Sequence, residues 1–194
     1  MTDLSVIILA GGKSSRMGED KALIPIQRIA LLERVYKVAK SCTDTIYIVT
    51  PWPERYQSLH LPECKFIPEI STETQGPLVG FVQGLEKVKT EWVLLLACDL
   101  PNLQIEVLQN WVKIVDTVES ENIAILVKNP KGWEPLCGFY RCNCLPLLQD
   151  FINQGGRSFQ EWLKPYPVAV LPLSSPEMLF NCNTPEDVQK FLLN

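Results

Sequence analysis

Apolar positions along the chain form two kinds of pattern. Short continuous runs of apolar and β-branched residues are typical of buried strands, and apolar residues spaced three or four positions apart are typical of one helix face. The first pattern predicts strands at residues 5–10, 45–50, 65–67, 92–98, 123–127 and 136–140. The second predicts helices at residues 30–39, 77–88, 105–115, 159–163 and 185–193. This alternation indicates an α/β protein, a three-layer α/β/α sandwich around a mainly parallel, Rossmann-like sheet.

The stretch 128–176 is less regular than the rest of the chain. It is rich in proline and tryptophan, and only residues 136–140 and 159–163 within it follow one of the two patterns. A chain of 194 residues is most simply one domain. We therefore interpret this stretch as an elaboration on a single domain that covers residues 1–194.

Charge and composition narrow the range of partners. The net charge of −4 argues against a general nucleic-acid-binding protein, which is usually basic. No apolar run approaches the roughly 18 residues of a membrane helix, so we expect no membrane partner. The seven cysteines form no CxxC pair, and His60 is the single histidine. We interpret the cysteines as free thiols of a reducing compartment, not as a zinc site, and expect a cytoplasmic protein.

The segment from Leu9 to Lys21, LAGGKSSRMGEDK, follows the first predicted strand. In such folds, ligands bind to loops at the carboxyl edge of the parallel sheet. Glycines let backbone N–H groups approach a phosphate, and Lys13, Arg16 and Lys21 add positive charge. We expect this loop to bind an anionic ligand such as a nucleoside triphosphate. The alternative is a solvated glycine turn with incidental cations.

Two common phosphate-binding motifs do not fit this segment. The dinucleotide fingerprint GxGxxG needs two glycines separated by one residue, whereas Gly11 and Gly12 are adjacent. Gly12-Lys13-Ser14 resembles the end of a P-loop, but the first glycine of that motif would fall on Ile7. The loop is neither a dinucleotide fingerprint nor a P-loop.

An aspartate stands at the end of the most apolar predicted strand, in the sequence CDLP (98–101). A side chain in that position points into the ligand crevice of a parallel sheet. Mg²⁺ is held in proteins by one or two carboxylates together with substrate phosphates, so Asp99 is the best candidate for a metal ligand. The alternative is a turn or cap residue before Pro101.

These motifs together resemble the molybdenum cofactor guanylyltransferases, which belong to a wider group of nucleotidyltransferases that includes sugar-nucleotide pyrophosphorylases. The resemblance is carried by LAGGxSxRMGxDK (9–21), QGPLVG (75–80), CDLP and NCNTPED (181–187), with weaker echoes in WEPLCGFYR (133–141) and GGRS (155–158). The motifs occur in the same order over nearly the whole chain. Relatives that transfer CMP usually have Leu-Ala-Ala-Gly where this chain has Leu-Ala-Gly-Gly, so the second glycine favours guanine.

The resemblance implies a fold of the nucleotide-diphospho-sugar transferase type and an enzyme that transfers GMP from GTP to molybdopterin or Mo-molybdopterin. It also implies Mg²⁺ as cofactor, a nucleotide-binding half at about 1–100 and an acceptor-binding half at about 101–194. A molybdenum-insertion protein and apo-molybdoenzymes are expected as further partners, and nucleic acid is not.

The resemblance also assigns roles to individual residues. The residues expected to bind the nucleotide are Leu9, Ala10, Gly11, Gly12, Lys21, Glu69, Gly76 and Asp99. Those expected to bind the acceptor are Gly80, Arg157, Asn181 and Asn183. Catalysis is expected from Arg16, Lys21 and Asp99, with Asp99 as the metal ligand. For most of these motifs a plainer interpretation is also open: a helix-start turn at residues 75–80, a turn at residues 181–183 and a surface charge at Arg157.

The chain departs from the family at two places that bear on the base. The family commonly has Asp where this chain has Glu69, which is one methylene longer and can still accept from guanine. The family's Asn after the second strand is replaced near residues 49–51. Two other functions therefore remain open: transfer of CMP or transfer to a sugar phosphate in the same fold, and a nucleotide-binding regulator without catalysis. Both Lys21 and Asp99 are present, which argues against the regulator.

Overall fold

A computed structural model describes residues 2–11, 20–70, 76–173 and 175–192. Its strands are β1 (Leu4–Leu9), β2 (Pro25–Ile26), β3 (Ile29–Ala30), β4 (Ile46–Thr50), β5 (Lys65–Pro68), β6 (Trp92–Ala97), β7 (Ala124–Asn129), β8 (Gly132–Arg141) and β9 (Val168–Val170). Its helices are α1 (Leu31–Lys40), α2 (Pro77–Leu85), α3 (Ile105–Val115), α4 (Leu145–Asn153), α5 (Phe159–Leu163) and α6 (Pro185–Leu192). Among the described residues, no helix is long and apolar enough to cross a membrane. Helix α3, for example, has 11 residues.

Seven of these strands form one sheet, in the order β5-β4-β1-β6-β8-β7-β9. All neighbouring pairs are parallel except those of β8, which runs antiparallel to both β6 and β7. The prediction of an α/β fold with a mainly parallel sheet is confirmed. Strands β1 and β6 lie side by side with Leu9 opposite Ala97. The segments that follow these two strands therefore leave the sheet at adjacent points.

The core has two parts, one on each face of the sheet, because alternate residues of a strand point to opposite faces. Val6 and Ile8 of β1 pack in one cluster with residues of α1 and α3, including Trp111. Ile7 packs in the other with residues of α2, α4 and α5, including Trp162. Strands β1 and β6 are almost wholly buried because helices cover both faces.

Helix α2 lies unusually close to the sheet at Gly84. A Cβ atom on this residue would lie 2.9 Å from Cδ1 of Ile7 and 3.1 Å from Cγ2 of Val49. These distances are shorter than an ordinary van der Waals contact, so a side chain here would push the helix away from β1 and β4. The small residue therefore fixes the height of α2 above the strands whose ends form the site.

The stretch 128–176 is more regular than the sequence indicated. Strand β8 has 10 residues and lies between β6 and β7, so this stretch completes the sheet and is not an elaboration beside it. Helix α4 and strand β9 were not predicted at all. Pro146 was one reason, because proline usually interrupts a helix, yet here it stands in the first turn of α4, where its missing N–H costs nothing.

Candidate functional site

A cleft of about 240 Å³ lies at the carboxyl ends of β1 and β6. Its lining combines the ends of both strands with the segment after β1 and the start of α2: Leu9, Ala10, Gly11, Asp20, Lys21, Ala22, Pro77, Ala97, Cys98, Asp99 and Leu136. Five residues with predicted roles are therefore brought together here, namely Leu9, Ala10, Gly11, Lys21 and Asp99. Gly12 and Arg16, which were also predicted, lie outside the described residues.

Lys21 is the centre of a polar contact between distant parts of the chain. Its Nζ lies 3.6 Å from Oδ2 of Asp99 and donates a hydrogen bond of 2.6 Å to Oδ1 of Asn183. The side chains of Lys21 and Asp99 are only 23% and 19% exposed. A half-buried ammonium group thus contacts a half-buried carboxylate on one side and the amide oxygen of the exposed Asn183 on the other.

Two opposing effects act on the pKa of the Asp99 carboxyl group. Burial raises its pKa above the ordinary value, and the positive charge of Lys21 acts in the opposite direction. Because burial outweighs the ion pair, the ionised carboxylate is less stable here than in water. A cation that enters the cleft would therefore find a carboxylate that is incompletely neutralised.

The segment 181–183 is anchored to the end of β6. The N–H of Cys182 donates to the carbonyl oxygen of Asp99 at 2.9 Å, and the buried Cys182 side chain packs with Ile24, Ile26 and Leu31. These contacts hold Asn183 beside Lys21, at the position that the resemblance implied for a residue of the site.

Tyr56 secures the segment that carries Lys21, a role that was not predicted from the sequence. The residue ends a 3₁₀ turn after β4 and is 1% exposed. Its hydroxyl oxygen lies 2.9 Å from Oδ2 of Asp20 and 3.2 Å from the carbonyl oxygen of Ala10. The other oxygen of Asp20 accepts from the N–H of Ala22 and caps the turn that begins at Lys21. Nothing in the local sequence of Tyr56 signals this role.

A recess beside Gly11 contains the predicted base-binding carboxylate. Glu69 follows β5, and its N–H donates to the carbonyl oxygen of Thr50 at 2.9 Å. A Cβ on Gly11 would lie 2.8 Å from Cδ of Pro51 and 3.0 Å from Oε2 of Glu69, and one on Gly80 would lie 3.7 Å from Oε1. The carboxylate thus occupies the space between two glycines. Burial raises its pKa.

The other predicted residues lie around these two regions. Gly80 borders Glu69 and Leu9, among the residues assigned to the nucleotide, although it was predicted to bind the acceptor. Gly76 directly precedes α2, with φ of +82°, next to the backbone of Arg157. The guanidinium of Arg157 donates to the carbonyl oxygens of Ile152 and Gly156 at the end of α4. Its assignment to the acceptor stays a prediction.

The donor groups of the cleft fit a magnesium ion better than a zinc ion. Among residues 2–11, 20–70, 76–173 and 175–192, no three His, Cys, Asp or Glu side chains are grouped as metal ligands. Asp99 supplies one hard carboxylate, and the amide oxygen of Asn183 lies nearby through their shared contact with Lys21. Such a sparse oxygen set suits Mg²⁺, which takes its remaining ligands from water and phosphate.

Comparison with known proteins shows the family. A family model described as the MobA-like NTP transferase domain matches residues 6–168. A relative from Nostoc sp. named "Probable molybdenum cofactor guanylyltransferase" is 64% identical and covers 97% of this chain and 90% of its own length. A relative of the same name from Synechococcus elongatus is 42% identical over 99% of this chain and 100% of its own.

A solved structure has the same fold. The "Molybdopterin-guanine dinucleotide biosynthesis protein A" of Archaeoglobus fulgidus superposes with a TM-score of 0.79, at 23% identity, over 97% of each chain. The family model covers most of the chain, including the carboxyl ends of β1 and β6 with Lys21 and Asp99. The chain therefore belongs to the MobA-like NTP transferase family and is a nucleotidyltransferase.

Proposed function

We propose that this chain transfers the GMP unit of GTP to the phosphate of molybdopterin or Mo-molybdopterin, which releases pyrophosphate and forms molybdopterin guanine dinucleotide. The names of the relatives from Nostoc and Synechococcus support this choice of substrates. The observation that carries the proposal is the meeting of Lys21, Asp99 and Asn183 at the ends of two parallel strands, next to the recess that holds Glu69.

The recess suits a guanine base. Guanine presents two adjacent donors, N1–H and the 2-amino group, which match the two oxygens of a carboxylate. Glu69 accepts from both in this proposal, and the absence of a side chain on Gly11 lets the Glu69 carboxylate lie close to the end of β1. Adenine presents an acceptor at N1, and an unsatisfied contact with a half-buried carboxylate such as Glu69 costs up to roughly 1–3 kcal/mol.

The phosphates of GTP lie towards Lys21 and Asp99. Asp99 is the residue that would hold Mg²⁺, and the bound ion would supply neutralisation of the charge on the phosphates. Lys21 adds a second positive charge, and Asn183 fixes its direction through the hydrogen bond between them. Asp20 and Tyr56 hold the segment that carries Lys21 against the end of β1.

To transfer the GMP unit, the protein mainly has to align the two substrates; it does not have to form a covalent bond with either. An oxygen of the molybdopterin phosphate attacks the α-phosphorus of GTP, a new P–O bond forms, and the bond to the β-phosphate oxygen breaks with its electron pair on pyrophosphate. The side chains of the cleft hold the two phosphates in line and stabilise the negative charge that develops between them. No side chain needs to act as nucleophile.

Pyrophosphate release tests the proposal directly. The purified chain is mixed with Mg²⁺, molybdopterin and either GTP, CTP or ATP, and with a sugar phosphate in place of molybdopterin. We expect GTP with molybdopterin to be used at least about tenfold better than either other triphosphate, in keeping with the cost of an unsatisfied carboxylate. Equal rates with CTP and GTP would overturn the guanine assignment, and pyrophosphate release only with a sugar phosphate would overturn the acceptor. No release with any pair would indicate a regulator.

A further inference from the structure

A second, smaller cavity of about 100 Å³ adjoins the cleft. Leu136 lines both cavities. Leu100 of its wall directly follows Asp99, and Asn181 of its wall is two positions from Asn183, which contacts Lys21. A molecule seated in this cavity therefore has its near end beside the phosphate-binding side chains.

The walls of this cavity are mainly apolar and carry two polar groups. Leu100, Pro135, Leu136 and Leu179 provide the apolar surface. Glu134 and Asn181 are the two lining residues with polar side chains. Apolar faces with a few placed polar groups are typical of sites for flat heterocycles.

Glu134 is held in place from the β7–β8 hairpin. Its Oε1 accepts a hydrogen bond from Nδ2 of Asn129, and Oδ1 of Asn129 accepts from the N–H of Lys131 at 2.7 Å. Burial raises the pKa of the Glu134 carboxyl group, and the charge of Lys131 opposes this effect. Each carboxylate oxygen can accept more than one hydrogen bond, so the anchored carboxylate retains acceptor capacity towards the cavity.

We propose, on the basis of the function proposed above, that Glu134 recognises the pterin ring of the acceptor through its N3–H and 2-amino groups. These two groups form the same pair of adjacent donors that guanine presents at N1 and its amino group. The apolar residues contact the faces of the ring, and Asn181 is available to the polar edge that Glu134 does not reach. The two substrates are then read by two carboxylates, Glu69 and Glu134, with Lys21 and Asp99 shared between them.

The proposal makes Glu134 a residue that determines acceptor specificity, so binding in the absence of GTP tests it. The probes are 6-hydroxymethylpterin and 6-hydroxymethyllumazine, which differ at C2, where lumazine has a carbonyl oxygen instead of the amino group. We expect the unmodified chain to bind the pterin at least about tenfold more tightly in titrations by calorimetry, because the carbonyl would face a carboxylate. Glu134→Gln should reduce the preference to about twofold or less, since an amide can donate to the lumazine carbonyl.

Glu69→Gln is the matched control, because it removes the same charge from the other carboxylate. It should leave the preference for pterin over lumazine unchanged. In steady-state assays, Glu134→Gln should raise the KM for molybdopterin and leave the KM for GTP unchanged. Thermal unfolding of both variants confirms that each is folded at the assay temperature.

Three results would overturn the inference. They are an unchanged pterin preference in Glu134→Gln, loss of the preference in Glu69→Gln instead, and no pterin binding by the unmodified folded chain. The proposed function has a separate readout in pyrophosphate release. Pterin binding that depends on Glu134, in a chain that does not transfer GMP to molybdopterin, would refute the function and leave the inference standing.

Discussion

The two regions that we propose to bind the phosphates and the base of GTP are built on different physical principles. On the proposed phosphate side, Lys21 contacts both Asp99 and Asn183, and the charges of Lys21 and Asp99 partly balance each other. On the base side, Glu69 stands between two glycines, and among the described residues no hydrogen bond is found for its carboxylate. One region is organised by contacts between charged and polar side chains, and the other by a carboxylate held close to two glycines.

This difference predicts how each region responds to substitution. Changes on the phosphate side remove charge where the reaction develops charge, so they should lower the rate with every nucleotide. Changes on the base side remove a partner that only the correct base satisfies, so they should alter the choice between nucleotides. The following substitutions test this division in order of decreasing effect.

Asp99→Asn should have the largest effect. The variant keeps the size of the side chain but loses the charge that would hold Mg²⁺, and we expect turnover with GTP to fall at least about a hundredfold, the scale seen for the loss of a preorganised electrostatic partner. Pyrophosphate release at saturating substrate measures this. Asp44→Asn, an exposed aspartate paired with Lys40, is the control and should leave turnover unchanged. Near-normal turnover of Asp99→Asn would exclude the metal assignment.

The same variant should not destabilise the fold. The pKa of Asp99 is higher in the folded chain than in the unfolded chain. Between these two pKa values the folded state binds more protons than the unfolded state. The free energy of unfolding therefore falls as the pH rises through that window. Asp99→Asn should therefore be at least as stable as the unmodified chain at pH 7, with the difference disappearing below the ordinary Asp pKa. Urea unfolding at several pH values checks the sign, and a variant less stable at pH 7 would contradict it.

Lys21→Met should lower kcat/KM for GTP by about 30-fold, the equivalent of about 2 kcal/mol for a lost charged hydrogen bond. Methionine keeps much of the apolar length of lysine, so the cleft retains its shape. Lys13→Ala removes a cation from the same segment at a position that the motif leaves variable, and it should be milder. A greater loss from Lys13→Ala would show that the motif is aligned wrongly.

Glu69→Gln should reduce the preference for GTP over CTP by about tenfold, while the turnover at saturating GTP changes little. Because the pKa of Glu69 is raised, the unmodified chain should also lose kcat/KM for GTP as the pH falls towards that pKa, at a higher pH than for an ordinary glutamate. Glu134→Gln serves as control and should leave the base preference unchanged. Equal losses with GTP and CTP in Glu69→Gln would remove the distinction between the two regions.

Tyr56→Phe should have the smallest effect, about a fivefold loss in kcat/KM for GTP, as expected for one hydrogen bond of about 1 kcal/mol. The loss follows from weaker positioning of Asp20 and Lys21. Tyr36→Phe is the matched control, because the hydroxyl of Tyr36 also donates to a carbonyl oxygen, that of Pro62. If both variants lose stability but only Tyr56→Phe loses activity, the positioning role is supported; equal activity in the two would refute it.

The sequence predicted the parts of the fold whose burial is continuous. Strands β1 and β6 are covered on both faces, so their residues are almost uniformly apolar and easily recognised. Strand β9 was missed although Val168-Ala169-Val170 is apolar, because the run is only three residues long and prolines stand close on both sides. Helix α4 was missed because a proline at a helix start resembles a break. A local pattern of apolar residues predicts a strand or helix well when the whole segment is buried. In this chain the prediction failed for a short strand and for a helix with a proline in its first turn.

The site was predictable only in part for a similar reason. Asp99 follows from its position at the end of a buried strand, which is a local feature. The contact between Lys21 and Asn183 joins residues 162 positions apart and was not predicted, because the resemblance assigned Lys21 to the nucleotide and Asn183 to the acceptor. Tyr56 and Glu134 were not predicted, because their importance arises from what lies beside them in space. Gly12 and Arg16 stay predictions.

The close approach of α2 to the sheet at Gly84 has a consequence for how substrate choice can change over evolutionary time. Gly84 is four positions from Gly80, so the two residues lie on the same face of the helix, and Gly80 borders the recess of Glu69. A single methyl group at Gly84 would clash with Ile7 and Val49, and a shift of the helix that relieved this clash would move Gly80 relative to Glu69. Substitution of Gly84 is therefore a route by which the nucleotide preference can change, although this residue does not contact the nucleotide in the proposed complex.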